Sequence, residues 1–352
     1  MRRARAIIGL ALLAPLGVAP RVAVAQRQVD PYEQQYLSGR FNWKFRDEYP
    51  AADRLFNGFD YGHSILYETL WRHPDAPVER LERAEFEKLT TRILRDPPRL
   101  ALAEEAIEPE YAKLVPEARL MFEWAHTLHR QIYDVWADDH LSFDAKDRAV
   151  ARLLRYYRSR PDLAFSSRPK SMTLMEGQPY SLVFRERYPK FNGLIWAYHW
   201  LQVGLYDALL AGDTPTARRA NVDATVARFW RMIDGGAATM PHMMPMTPAV
   251  APRFTARYPE AAVIFDNLHS MHDVISDILL SPKVPRSGKR AAILEAARRY
   301  RDDETAVTTM DEWRAMAAEM GVEHMGGAAM DTSSAAPPVQ GGQPPAHHHP
   351  RR

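Results

Sequence analysis

The chain has 352 residues, 46% of them hydrophobic and 26% charged, with no cysteine and a formal net charge of +2. That length and apolar content support a sizeable core in one large or two smaller domains. The absence of cysteine excludes disulfides, thiolate metal sites and covalently attached c-type haem, and the near-neutral charge argues against nucleic acid as a partner.

Residues 1–25 read as an export signal: Arg2, Arg3 and Arg5, an apolar run from Ile7 to Val18, then Ala23-Val24-Ala25, with cleavage expected after Ala25. The run is short and broken by Pro15 and Gly17, so it does not suit a bilayer-spanning helix. Losing Arg2, Arg3, Arg5 and Arg21 takes the formal charge from +2 to about −2. The expected location is periplasmic or extracellular, and no integral membrane segment is expected in the mature chain.

Residues 26–48 form an aromatic lead-in containing Tyr32, Tyr36, Phe41, Trp43 and Phe45. A single helical domain is expected over 49–325. Within it one frame recurs: a proline opens an apolar stretch, and a histidine follows at His63, His126, His199 and His269. About two dozen residues after each histidine comes an amphipathic, arginine-rich stretch, at 77–95, 144–160, 216–234 and 287–301. Two of these match closely, Val150-Ala-Arg-Leu-Leu-Arg155 and Val226-Ala-Arg-Phe-Trp-Arg231. Proline in the first turn, with Glu117 or Glu260 beside it, suits a helix start. No sustained alternation of apolar and polar residues suggests a sheet. The pattern predicts an all-α fold of four repeated helical-hairpin units of about 70 residues each. Their first helices would form a bundle core, with the arginine-rich helices outside and the arginines in solvent. The connectors 161–186 and 235–256 read as loops. Residues 326–352, rich in Gly, Pro and His and carrying His347-His348-His349, read as a disordered tail.

The chemistry lies on the histidine helices. Residues three apart are about 60° apart on a helix and can share a ligand. Asp60/His63, Glu123/His126 and Asp266/His269 have that spacing; the third helix has Trp196 where the acid would stand. His129 and His272 follow three residues on, and Asp134, Asp207 and Asp277 lie eight residues past their histidines. This acid-x-x-His arrangement resembles the ligand pattern of di-iron and di-manganese carboxylate bundles; the resemblance is confined to the site. Together with the expected export signal it implies an exported metalloprotein, an iron or manganese oxidoreductase acting on a small-molecule substrate or with a redox partner. The expected ligands are Glu123, His126, Asp266 and His269, then Asp60, His63 and His199. His129 and His272 serve as further ligands or orienting groups. Copper or zinc also suits histidine-rich sites. One alternative is copper handling through Met240-Pro-His242-Met243-Met244-Pro-Met246; another is a non-enzymatic binding protein with a buried His/acid network. Nucleophile-elbow, phosphate-loop, dinucleotide and zinc-protease motifs are absent from the sequence.

Overall fold

The computed structural model describes residues 32–321 apart from Asp75 and Leu102. The expected export signal, the first residues of the lead-in and the histidine-bearing tail lie outside the described residues. The helices of the first half are α1 (Lys44–Glu48), α2 (Pro50–Arg72), α3 (Val78–Lys88), α4 (Glu104–Ile107), α5 (Pro109–Leu114), α6 (Pro116–Ala137) and α7 (Phe143–Arg158). Next come α8 (Thr173–Glu176), α9 (Val183–Arg187), α10 (Pro189–Ala211), α11 (Pro215–Asp234) and α12 (Thr247–Val250). The last are α13 (Pro252–Arg257), α14 (Pro259–Leu280), α15 (Lys289–Arg301) and α16 (Met310–Ala318). The protein is all-helical: among the described residues the only β feature is an isolated bridge between Lys170 and Val307. No described helix is long and apolar enough to cross a membrane.

Each of the four long helices, α2, α6, α10 and α14, starts with a proline whose missing N–H is one the helix would leave unpaired anyway. A residue before proline is pushed out of the helical region. Tyr49, Val115, Tyr188 and Tyr258 accordingly have φ/ψ of −131/56°, −140/67°, −129/59° and −131/61°. Each makes a corner between a short helix and the long one that follows.

The four long helices form the core. Helix α2 touches α10 and α14, and α6 touches the same two. α10 is buried from Phe191 to Leu209 and α14 from Ala261 to Leu280, as expected of helices enclosed on all sides. Outside them, α7 lies on α6, α11 on α10, and α15 on α14 and α6, whereas α3 packs against α10. The first outer helix thus crosses to another long helix.

Buried carboxylates fix the ends of the long helices. Asp134 accepts backbone N–H groups of Trp43 and Phe45 at 3.0 and 2.9 Å, and Glu68 those of Glu110 and Tyr111, both at 3.0 Å. Asp277 accepts from Leu182 and Phe184 at 2.8 and 2.7 Å; Asp207 accepts from Arg253 and Phe254 at 2.7 and 3.2 Å. These donors open α1, α5, α9 and α13, where helical N–H groups have no partner of their own. The arrangement is reciprocal. The late carboxylate of α2 holds the entry to α6 and that of α6 holds the entry to α2; α10 and α14 are linked in the same way. Each pair therefore runs antiparallel. Trp43 and Leu182, at φ 72° and 69°, sit in the left-handed region that non-glycine residues rarely occupy. The anchored carboxylates hold both turns.

The same caps explain why 161–186 and 235–256 are not the plain loops expected from their composition: they contain α8, α9, α12 and α13, two of which are capped from the long helices. The basic faces also divide. Arg148, Arg152 and Arg155 are exposed, but Lys146, Arg218 and Lys289 are buried. Lys146 donates to the Trp136 carbonyl at 2.7 Å, Arg218 to Gly212 at 2.9 Å, and Lys289 to Ile278 at 2.8 Å. Each places a cation on the negative end of α6, α10 or α14.

Asp277→Ala would leave the buried Phe184 N–H and the partly buried Leu182 N–H without an acceptor. It is expected to cost about 2–3 kcal/mol in urea unfolding and to strip Phe184 of amide-exchange protection. An unchanged midpoint would contradict the capping role.

Candidate metal centre

The long helices bring six imidazoles together. α2 supplies His63, α6 His126 and His129, α10 His199, and α14 His269 and His272. None is more than 4% exposed. Ring centroids lie 4.1 Å apart for His63–His272 and 5.1 Å for both His63–His199 and His199–His272. The cluster continues through His199–His269 at 4.1 Å, His129–His269 at 5.8 Å, His126–His272 at 6.0 Å and His126–His129 at 6.4 Å. Phenyl rings wall it: Phe59 is 3.9 Å from His63, Phe122 is 4.3 Å from His272, and Phe265 is 3.5 Å from His129.

His63, His199 and His272 form the tightest set. Each offers one nitrogen within 4.8 Å of the others, a grouping that can hold a metal ion. His199 Nε2 and His272 Nδ1 are already 2.9 Å apart. Tetrahedral metal–imidazole bonds of about 2.0–2.1 Å place ligand nitrogens about 3.3 Å apart, a spacing between the 2.9 Å of that pair and the 4.8 Å bound on the set.

Buried polar atoms normally have partners, and an exception calls for an explanation such as an ion. Both ring nitrogens of His63 and of His269 have none, nor do His129 Nε2, His199 Nδ1 or His272 Nε2. One ring is oriented from behind: the Tyr206 hydroxyl is 2.7 Å from His129 Nδ1. Asp60 Oδ1 lies 3.6 Å from His126 Nδ1, beyond hydrogen-bond distance. Burial pushes all six imidazoles below their ordinary range, and mutual repulsion adds to this at five of them. His63 falls to about 3, with the nearby Phe59 carbonyl opposing the shift without a well-aligned hydrogen bond. The rings are therefore neutral and keep a lone pair for coordination.

The acids of the expected ligand set are engaged elsewhere. Asp266 accepts from the Thr247 N–H and hydroxyl at 2.9 and 2.6 Å and from the Trp313 indole at 2.8 Å. Burial pushes its carboxyl up to about 7 against those bonds. Glu123 pairs with Arg119, and Asp60 with Arg130 at 2.6 Å. For Asp60 and Asp266 the reason is rotational: 60° around a helix is enough to move a side chain from the central seam into a neighbouring interface that has its own donors, whereas Glu123 is taken by Arg119 four residues earlier on the same helix. His272, expected only as an accessory, stands in the tightest set. Arg130 was not legible as a partner of the site; Tyr206, one of the aromatics crowding the histidine helices, lies seven residues after His199, two turns along the same face of α10.

Met240, Met244 and Met246 of the methionine loop are buried in the core. Met244 Sδ accepts from Ser270 at 3.2 Å, His242 is exposed, and Met240 packs on Gly193, where a Cβ would approach it to 3.2 Å. No protein-family model, curated protein or solved structure matches this chain.

A neutral folded His63 binds no proton at pH values where the unfolded chain, with an ordinary value of 6.5, does. Its contribution to stability is therefore complete above about pH 6.5 and is lost as pH falls toward about 3. Between pH 6.5 and 5 the metal-free wild type should lose about 1.5 kcal/mol more stability than His63→Asn. Equal losses in urea titrations would contradict a neutral buried ring.

Proposed function

We propose that this protein is a metalloprotein whose centre is a late first-row transition-metal ion held by His63, His199 and His272, and that it works as an oxidoreductase. The observation that carries the reading is the convergence of three buried imidazoles, one from each of three helices, with nitrogens within 4.8 Å of one another. Such a donor set discriminates among metals. Imidazole suits copper, zinc, iron and nickel, whereas manganese prefers carboxylate and water. Copper fits first, because a monovalent ion brings the least charge into a dry, neutral pocket; iron fits next, and zinc fits a redox-inert form. A bound redox metal supplies electron transfer to a small molecule at an open position. The chain's residues bind and orient: the histidines supply lone pairs, Tyr67 donates to the His272 carbonyl at 3.3 Å, and Phe59 and Phe122 keep water out.

Two further parts of the reading belong here. The four long helices, each with a short helix before it and an outer helix after it, descend from one duplicated hairpin unit; the matching corners and caps support this. The N-terminal signal directs the chain to the periplasm or beyond, where a small substrate or redox partner meets it. A second reading, a metal-free polar network, is favoured by the His199–His272 hydrogen bond at 2.9 Å.

Metal analysis of untagged protein from its exported compartment separates the two. The proposal expects at least one transition metal per chain. Chelator should lower the melting temperature by roughly 5–10 °C, as for a ligand present at about a hundred times its Kd. His272→Asn should lose both properties, while replacing Met243, Met244 and Met246 with leucine changes neither. A metal-free wild type indifferent to chelator establishes the network reading instead.

A further inference from the structure

Between the lead-in and α7 runs a groove of about 600 Å³. Arg148, Arg152 and Arg155 of α7 and Arg40 of the lead-in line it, all four exposed. It lies away from the histidines. Helix α7 docks on the α6 face that carries Trp124, whose indole donates to the Tyr157 carbonyl at 2.9 Å, and His126 and His129 stand on the opposite side of that helix. We propose that the groove binds a small linear anion of the oligophosphate class. This goes beyond the metal reading and does not depend on it.

Charge is the first observation that carries it. Arg148, Arg152 and Arg155 share one face of α7, strung over about 10 Å of the helix. Like charges at that spacing repel, yet no carboxylate lines the groove. Among the described residues none of the four guanidiniums forms an ion pair. Other arginines nearby are neutralised: Arg158 pairs with Glu260 at 2.6 Å and Arg257 with Asp147 at 2.7 Å. The second observation is that the wall facing α7 is fixed. The Leu37 N–H donates to Gln131 Oε1 at 3.0 Å, its carbonyl accepts from Gln131 Nε2 at 2.8 Å, and the Tyr156 hydroxyl donates to the Gln35 carbonyl at 3.0 Å. A Cβ on Gly39 would meet the Phe41 ring at 2.5 Å, so the turn that carries Arg40 closes tightly only on glycine. Phe41 is buried beneath it, with the Arg152 guanidinium 6.0 Å from its ring centroid.

Size and shape narrow the ligand class. The volume falls in the range of small-molecule sites, about 300–1,000 Å³. Ala145 and Ala149 leave space beside the guanidiniums. Each guanidinium fork pairs with two oxygens of a phosphate. A row of such forks is matched by phosphates joined in a chain and is longer than a single phosphate group.

The test is calorimetric titration of the full-length protein with tripolyphosphate, in low-salt buffer free of divalent metal. Wild type should bind it at one site that weakens as salt rises. The triple variant Arg148→Gln/Arg152→Gln/Arg155→Gln should bind at least about thirtyfold more weakly. Arg80→Gln/Arg83→Gln/Arg92→Gln removes the same charge from another exposed stretch and should change binding by less than about twofold. Arg40→Gln alone should weaken it about fivefold, and this variant decides if the α7 triple fails to fold. No binding by wild type, or equal affinities in the two triple variants, overturns the site. So does an Arg40→Gln variant that binds like wild type. Binding of phosphatidylglycerol vesicles or of a glutamate hexapeptide through these arginines, with tripolyphosphate unbound, overturns the oligophosphate assignment. Every variant keeps the six histidines, so each outcome leaves the metal reading untouched.

Discussion

Desolvation of imidazole is the constraint around which this molecule is built. A polar group moved from water into a hydrocarbon-like interior without a replacement hydrogen bond costs free energy. Here six rings are buried in one helical core, and several of their nitrogens have no protein partner. Neutrality removes the larger penalty of a buried charge, and the ring pairs His199–His272 and His129–Tyr206 recover part of the remainder. The rest remains as ring N–H groups and lone pairs without protein partners, and an ion shared by His63, His199 and His272 could satisfy several of the lone pairs at once.

Holding that arrangement requires stiff supports, which the fold places at the helix ends rather than in the seam. Asp134, Glu68, Asp207 and Asp277 each fix the entry to a partner helix. Lys146, Arg218 and Lys289 fix the exits. Because each carboxylate sits on one long helix and caps the approach to another, axial sliding of α2 against α6, or of α10 against α14, would break hydrogen bonds at both ends. The imidazole register near the middle is protected in this way. The charges that do this lie far from the ligands and leave the centre without a carboxylate in its tightest set.

Much of this scaffold was legible in the sequence because it rests on local rules. Proline-led starts, apolar stretches around His63, His126, His199 and His269, and amphipathic outer segments are statements about single helices. Three features were not legible. Acid-x-x-His spacing places Asp60, Glu123 and Asp266 near their histidines on a helical wheel, but a wheel does not show which neighbouring helix fills that sector. Arg130 and Trp313 fill it for Asp60 and Asp266, whereas Glu123 is taken by Arg119 one turn back on its own helix. The regular aspartates at 134, 207 and 277 were visible as a pattern, yet their partners are backbone groups 46 to 95 residues away. Glu68 escaped the pattern because it follows His63 by five residues rather than eight. The crossing of α3 to α10 depends on long-range packing that local periodicity does not encode.

The most direct measurement of the central claim is anomalous diffraction from copper-loaded crystals at the metal absorption edge. The account predicts a peak in the bundle interior bounded by the ring nitrogens of His63, His199 and His272. A strong peak confined to the protein surface, with those three rings still hydrogen-bonded to one another or to water, would contradict it.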